Sequence, residues 1–279
     1  MIVNVKEIVE RKKNDLKDRV KKLEKNGIVP KLAIIKASDD KASEVYIGKK
    51  RNLCKEIGVA EEEYIFDENV SQKDIISTIQ KLNNDLSVHG ILVQLPLFKH
   101  LNENYVLDAL EPKKDVDGLT KLNFGKLVTG EKGIIPCTPK GILTILQSLD
   151  VDISGKNVTV VGRSILVGKP ASLLMLSKGA TVTVCHSKTE NLKEHTKNAD
   201  ILIVAVGHPG LITKDMVKKG ATVIDVGITR TDDGIKGDVD TFEVDKVAKY
   251  VTPVPGGVRT YYRSFFNRKC NRNCWKLLK

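Results

Sequence analysis

Residues Val158 to Thr189 read VTVVGRSILVGKPASLLMLSKGATVTVCHSKT, and this stretch decides the fold. Val158 to Gly162 is an apolar, β-branched run that stops at a glycine. A loop carrying Gly162, Ser164 and Gly168 follows, and Pro170 opens a segment with helical spacing at Leu173, Leu174 and Leu176. Gly179 ends that segment, and Thr181 to Cys185 begins a second strand at once. Strand, glycine loop, helix and strand within about 30 residues form the unit that places a pyrophosphate at a helix N-terminus. Pro170 suits the first helical position, and Gly179 suits the position just past the helix end.

Downstream, Ile201 to Val206 and Thr222 to Val226 are two further strands, each following a helical stretch and meeting a glycine, Gly207 and Gly227. Upstream, MIVNVKEIVERKKNDLKDRVKKLEKNG reads as an amphipathic helix with Val5, Ile8, Val9, Leu16, Val20 and Leu23 on one side and Gly27 as its stop. Buried strands follow at Lys31 to Ala37 and Gly90 to Leu95, with a short strand at Tyr64 to Phe66. Helices are expected over Asp39 to Ile57 and Ser71 to Leu86, and from a cap at Asn102 to about Leu110. Residues after Thr120 read as a connector, and Pro136 to Gly141 leads into a helix ending near Leu149. The alternation implies an α/β protein with mainly parallel sheets covered by helices. A boundary near residue 120 divides it into a substrate domain, 1–120, a Rossmann-type nucleotide domain, 121–258, and a tail, 259–279.

At 279 residues the chain is long enough for two cores. Charged residues near the N-terminus argue against a signal peptide, and no apolar run approaches the roughly 20 residues that span a bilayer. Five cysteines at irregular spacing read as free thiols in a reducing cytosol, so a cytoplasmic location is expected. The net charge of +11 is concentrated at the end: residues 259–279 hold seven Lys/Arg and no Asp/Glu, which leaves +4 over residues 1–258. No nucleic-acid or membrane partner is expected for the main body.

Gly162-Arg-Ser-Ile-Leu-Val-Gly168 departs from G-x-G-x-x-G, and Pro170 stands where a phosphate loop for ATP would need Ser or Thr. At the end of the second strand an NAD site usually carries Asp or Glu for the ribose hydroxyls. Here His186, Ser187 and Lys188 stand there, with Arg163 in the glycine loop. A hydroxyl beside cations suits a 2′-phosphate, so NADP is favoured. In the first half, Tyr46 and Lys50 are four apart on one helix face. A lysine interrupting an apolar stripe becomes a base if burial favours its neutral form. Gln94 lies inside an apolar strand, where an amide must find partners. Asp115 and Asp117 flank Val116 in a loop before Gly118.

The segments ASEVYIGKK, GILVQLPL, PKKDVDGL, PCTPKGI, VVGRSILVGKP, HSKT, ADILIVAVG, VIDVGI and VTPVPGGV occur in one order. That series resembles bifunctional methylenetetrahydrofolate dehydrogenase/methenyltetrahydrofolate cyclohydrolase over roughly residues 1–258. The resemblance implies oxidation of 5,10-methylenetetrahydrofolate with NADP⁺, then hydrolysis to 10-formyltetrahydrofolate, in a cleft between the two domains of a homodimeric enzyme. It implies Lys50 as catalytic lysine, Tyr46 beside the folate, Gln94 tuning the lysine and Asp117 holding the pterin. Gly162, Arg163, Ser164, Ser187 and Ile228 match its NADP positions. Pro255, Gly256 and Gly257 match a loop that closes over substrate. No metal is implied.

The likeness stops after Val258. The following RTYYRSFFNRKCNRNCWKLLK holds five of the chain's 13 aromatic residues and two of its five cysteines, as a reading-frame change near codon 259 would produce. Cys270 and Cys274 have no second pair or His cluster to complete a zinc site. Besides the active enzyme, the sequence therefore leaves two other readings: a folded NADP-binding protein impaired by its altered end, and a nucleic-acid binder using the basic tail.

Overall fold

A computed structural model describes residues 1–258, apart from the side chains of residues 41–46 and 49. The tail, with Cys270 and Cys274, and the Tyr46 side chain lie outside the described residues. The elements in chain order are α1 (Val5–Glu24), β1 (Lys31–Lys36), α2 (Lys41–Ile57), β2 (Ala60–Ile65), α3 (Gln72–Asn84), β3 (Gly90–Gln94), α4 (Glu103–Asp108), α5 (Lys121–Thr129), α6 (Cys137–Ser148) and β4 (Asn157–Val161). They continue with α7 (Gly168–Leu176), β5 (Thr181–Cys185), α8 (Leu192–Lys197), β6 (Ile201–Val204), β7 (Thr222–Asp225), β8 (Thr229–Thr231), β9 (Gly234–Lys236), α9 (Thr241–Asp245) and β10 (Tyr250–Val251). No described helix is long and apolar enough to cross a membrane.

The described residues divide into two compact units, one of Arg11–Cys137 and one of Met1–Glu10 with residues 138–258. This division falls later than the boundary near residue 120 expected from the sequence. Two contacts explain the difference. Residues 121–129 form α5, which is fastened to the first unit by Asn123: its amide donates to the Pro112 carbonyl (2.8 Å) and Asp115 Oδ2 (3.0 Å), and its oxygen accepts from Ile134 N–H (3.1 Å). The N-terminal residues pair instead with β10, where Ile2 bridges Val251 and Val3 N–H donates to the Val251 carbonyl. The connector reading missed α5 because only Asn123 and Leu127 of that helix are buried. A helix that packs through an amide leaves little apolar periodicity to read.

The first unit carries a three-stranded parallel sheet in the order β2-β1-β3, with Lys36 in register with Ile65 on one side and Gln94 on the other. β1 is buried on both faces, and Ala33 and Ile35 pack with Ile91 and Val93 of β3 against Ile75, Ile79 and Leu82 of α3. Ser71 caps α3 with a reciprocal Ser71–Asp74 arrangement that satisfies N–H groups at both sides of the helix start. β2 is longer than the expected Tyr64 to Phe66, because AEEEYI masks its strand character with three glutamates. Glu61 is pushed up to about 7 by burial, with neighbouring Glu63 adding to the effect.

The second unit carries a five-stranded parallel sheet in the order β10-β7-β6-β4-β5. Its order reverses at β4, which has β5 on one side and β6 on the other, the switch point where such sheets take ligands. Val161, Leu202, Val204 and Val223 form its core with Val217, Val244 and Ala248. Cys54, Cys137 and Cys185 are buried thiols outside any disulfide.

Asn123→Ala should leave buried donors and acceptors of the first unit unpaired and lower its stability by about 2–3 kcal/mol, read as a drop in the urea midpoint.

Candidate active site

In the first unit the candidate catalytic residues come from α2, the end of β3 and the loop between α4 and α5. Lys50 is 3% exposed, and its Nζ donates to Gln94 Oε1 at 3.1 Å. Gln94 Nε2 donates to the Leu95 carbonyl at 2.8 Å, which fixes the amide with its oxygen toward the lysine. The structure thus joins two residues 44 positions apart that the sequence singled out separately. Leu95–Pro96 is a cis peptide at the point where the chain leaves β3.

Of the two loop aspartates, Asp115 is the scaffold. It is 1% exposed, and its carboxylate accepts from the N–H groups of Gly118 (2.7 Å) and Thr120 (2.9 Å) and from Asn123 Nδ2 (3.0 Å). The Asp115 segment bridges Ile91 of β3 in parallel, and Ile91 N–H donates to the Lys114 carbonyl at 2.7 Å. Asp117 stands half-buried on this braced loop. Gly118 closes the loop at φ +71°, where an added Cβ would lie 2.6 Å from the Ile134 carbonyl oxygen.

Lys36 was passed over by the sequence reading. It is 7% exposed and is the register partner of Gln94, so it is a second buried lysine, at the carboxyl end of the central strand. Its signal was the lysine closing the apolar run KLAIIK. A separate cavity of about 500 Å³ opens among the loops after β1, β2 and β3, lined by Ser38, Asp39, Glu68, Pro96, Phe98 and His100 among others. It includes neither Lys50, Gln94 nor Asp117.

In the second unit, the loops bearing Gly162–Ser164, Ser187, Ile228 and Pro255–Gly257 follow β4, β5, β7 and β10, all at the carboxyl ends of one sheet. Gly168 approaches Gly162 so closely that an added Cβ would lie 2.1 Å from the Gly162 carbonyl oxygen, and one on Gly162 would lie 2.4 Å from the Ala205 oxygen. The loop is therefore built on bare backbone at both ends, as a cradle for a phosphate requires. α7 starts at Gly168, two residues before the expected Pro170. Pro170 still lies in the first turn, where its missing N–H is no loss. Ser164 Oγ accepts from Val167 N–H (3.2 Å) and Gly168 N–H (3.4 Å), closing the helix start. Its own O–H remains a donor, so the hydroxyl can pass the positive end of α7 on to an anion.

Arg163, Ser187 and Lys188 are exposed, and Ile228 is half-buried. The turn after β5 is tied by His186 N–H to Thr189 Oγ1 (2.8 Å) and Lys188 N–H to His186 Nδ1 (3.1 Å). Gly256 adopts φ +105°, and an added Cβ on Gly257 would lie 2.2 Å from the Pro253 carbonyl oxygen. The glycines at 256 and 257 are thus required by backbone conformation and close approach. No cluster that could hold a metal occurs among the described residues.

Comparison with known proteins places both units. Residues 3–117 match the family model of the tetrahydrofolate dehydrogenase/cyclohydrolase catalytic domain, and residues 136–263 match that of its NAD(P)-binding domain. The second match ends close to the compositional break at residue 259. The chain is 47% identical over 259 residues to the bifunctional protein FolD of Bacillus cytotoxicus, covering 92% of this chain and 91% of that one. Its structure is similar to the bifunctional FolD methylenetetrahydrofolate dehydrogenase/cyclohydrolase of Campylobacter jejuni, with TM-score 0.97 and 39% identity over 99% of both chains. It is also similar to the Trypanosoma brucei dehydrogenase-cyclohydrolase complexed with NADP cofactor and inhibitor, with TM-score 0.94 and 31% identity over 100% and 98% of the chains.

Gly168→Ala should force the glycine loop apart and weaken dinucleotide binding by ~10-fold or more, measured by fluorescence titration with NADPH.

Proposed function

The chain belongs to the tetrahydrofolate dehydrogenase/cyclohydrolase family, and from that premise we propose that it oxidises 5,10-methylenetetrahydrofolate with NADP⁺ and hydrolyses the 5,10-methenyl product to 10-formyltetrahydrofolate. The observation that carries the residue assignment is the hydrogen bond from buried Lys50 to an amide, Gln94, that is itself locked by the Leu95 carbonyl.

Hydrolysis adds water to the cationic methenyl carbon, releases a proton and then breaks the bond to N5, which takes a proton back. A group is needed that accepts the first proton and supplies the second. Lys50 is assigned that role: its buried amine is held in a set direction by Gln94. Asp117 offers a carboxylate to the donor N–H groups of the pterin, a charge-assisted pairing that orients the ring. Its loop is braced by Asp115 before substrate arrives, so little ordering remains to be done on binding. Tyr46, one turn from Lys50 on α2, is assigned to the aromatic face of the folate.

The dinucleotide supplies the hydride acceptor when bound. The chain's own residues fit it. Gly162 and Gly168 leave backbone exposed to the phosphates, and Ser164 offers its O–H beside the start of α7. Arg163, Ser187 and Lys188 supply a hydroxyl and two cations to a 2′-phosphate, which supports NADP over NAD. Ile228 is assigned to the wall of the same site, and Pro255, Gly256 and Gly257 to the loop against the folate. Hydride transfer needs alignment more than proton transfer, because the folate nitrogen lone pair expels the hydride. The same reading carries a cytoplasmic homodimer.

The test is direct. On adding methylenetetrahydrofolate to the purified full chain, absorbance should report reduction of NADP⁺ in preference to NAD⁺, followed by loss of the methenyl product. NADP binding without turnover would select the impaired protein instead. Binding of DNA or RNA that vanishes on removing residues 259–279 would select the nucleic-acid reading. Lys50→Met should cut methenyl hydrolysis by ~100-fold or more while NADPH binding persists; hydrolysis at the normal rate would exclude the lysine role. Asp117→Asn should raise KM for the folate substrate by ~10-fold or more, with the affinity for NADPH unchanged.

A further inference from the structure

Two buried aspartates lie behind the nucleotide loops and have no part in the assignments above. Asp225 ends β7, Asp238 follows β9, and both are 0% exposed. Asp238 Oδ2 accepts from Val206 N–H (2.7 Å) and Gly207 N–H (3.0 Å), and its Oδ1 accepts from His208 N–H (2.7 Å). Asp225 Oδ1 accepts from Gly227 N–H (3.0 Å) and Asp238 N–H (3.1 Å), and its Oδ2 accepts from Val239 N–H (3.0 Å). Asp225 N–H in turn donates to Thr252 Oγ1 at 2.8 Å. The series runs from the end of β10 through β7 to the loop after β6. It therefore fastens three carboxyl ends of the sheet to one another.

Two glycines make room for it. An added Cβ on Gly227 would lie 2.0 Å from the Asp238 carboxyl carbon, and one on Gly237 would lie 2.0 Å from Asp225 Oδ2. A buried carboxylate is tolerated only where donors replace its water, and here each finds three. The segment so held is the neighbour of the glycine loop: the Ala205 oxygen is the atom that a Cβ on Gly162 would strike, at 2.4 Å. Thr229 Oγ1 closes the same corner by donating to the Gly207 carbonyl at 3.0 Å.

We propose that Asp238, set in place by Asp225, is a positioning residue for the dinucleotide: it fixes the backbone of residues 206–208 as the wall beside the glycine loop. The inference rests on the reading of this unit as the dinucleotide-binding half. The Asp238 carboxylate is engaged by three backbone N–H groups and acts through them. Its loss therefore loosens the nucleotide's wall and leaves Lys50 and Gln94 untouched.

The experiment compares wild-type full chain with Asp238→Asn, in which one acceptor oxygen becomes an NH₂ group facing N–H donors, and with Gly207→Ala. Gly207 has open space around it but φ +72°, so a methyl there disturbs the same turn without crowding a neighbour. NADPH affinity is read by fluorescence titration, KM and kcat for NADP⁺ in the dehydrogenase reaction, and hydrolysis of methenyltetrahydrofolate without nucleotide. Both variants should weaken NADPH binding and raise KM for NADP⁺ by ~10-fold or more, while hydrolysis stays within about twofold of wild type. That split would not arise from general loss of structure. NADPH affinity within about twofold of wild type in either folded variant overturns the proposal, as does an equal fall of both activities. If the wild-type chain binds no NADPH, the nucleotide reading falls and this inference with it; wild-type binding matched by the variants sinks the inference alone.

Discussion

A carboxylate taken out of water is costly unless its lone pairs find donors, and three aspartates in this chain meet that condition with groups from nearby loops. Asp115 in the first unit, and Asp225 and Asp238 in the second, are each at most 1% exposed and each accept three N–H bonds. The loops they organise carry residues proposed for the substrate and the nucleotide. Burial pushes Asp225 up to about 7, with Asp238 adding to the rise and the three N–H donors opposing it. The strands place these loops at the carboxyl ends of parallel sheets, but strands alone do not decide the loops' shape. That shape depends on buried charge meeting backbone dipoles.

The two units use their side chains differently. In the first, a few directed polar bonds set the side chains of the proposed site: Lys50 is held by Gln94, and Asp117 stands on a loop that Asp115 braces. In the second, removal of side chains is the main device. Gly162 and Gly168 bring backbone against backbone at distances no Cβ allows, and Ser164 turns the start of α7 into a hydroxyl donor. Proton transfer requires a side chain of fixed direction, and phosphate binding requires backbone that a ligand can approach. Each unit's local chemistry matches the reaction partner assigned to it.

Much of this was legible in the sequence because it depends on local rules. Alternating strands and helices, the glycine after Val161, the cap at Asn102 and the absence of an acid at Ser187 are all readable within a few residues. Tyr46 and Lys50 share a face by helical spacing alone. The misreadings also have local causes. Residues 121–129 hide a helix because Asn123 packs where an apolar residue would signal it, and β2 hides most of its length behind Glu61, Glu62 and Glu63.

The sequence by itself determined the two α/β units, the glycine loop and the family, and it supplied the proposals for NADP and for the residues of the site. Only the tertiary structure decided which polar groups meet. Lys50 and Gln94 are 44 residues apart, and Asp238 lies 32 residues from Val206. Asp115 and Asp117 look alike in the sequence, yet Asp115 is buried with three N–H donors on its carboxylate while Asp117 is half-buried. The reason is physical: secondary structure follows from periodicity and backbone preference along a short stretch. Satisfaction of a buried polar group, by contrast, depends on partners that only the folded sheet brings within hydrogen-bonding distance.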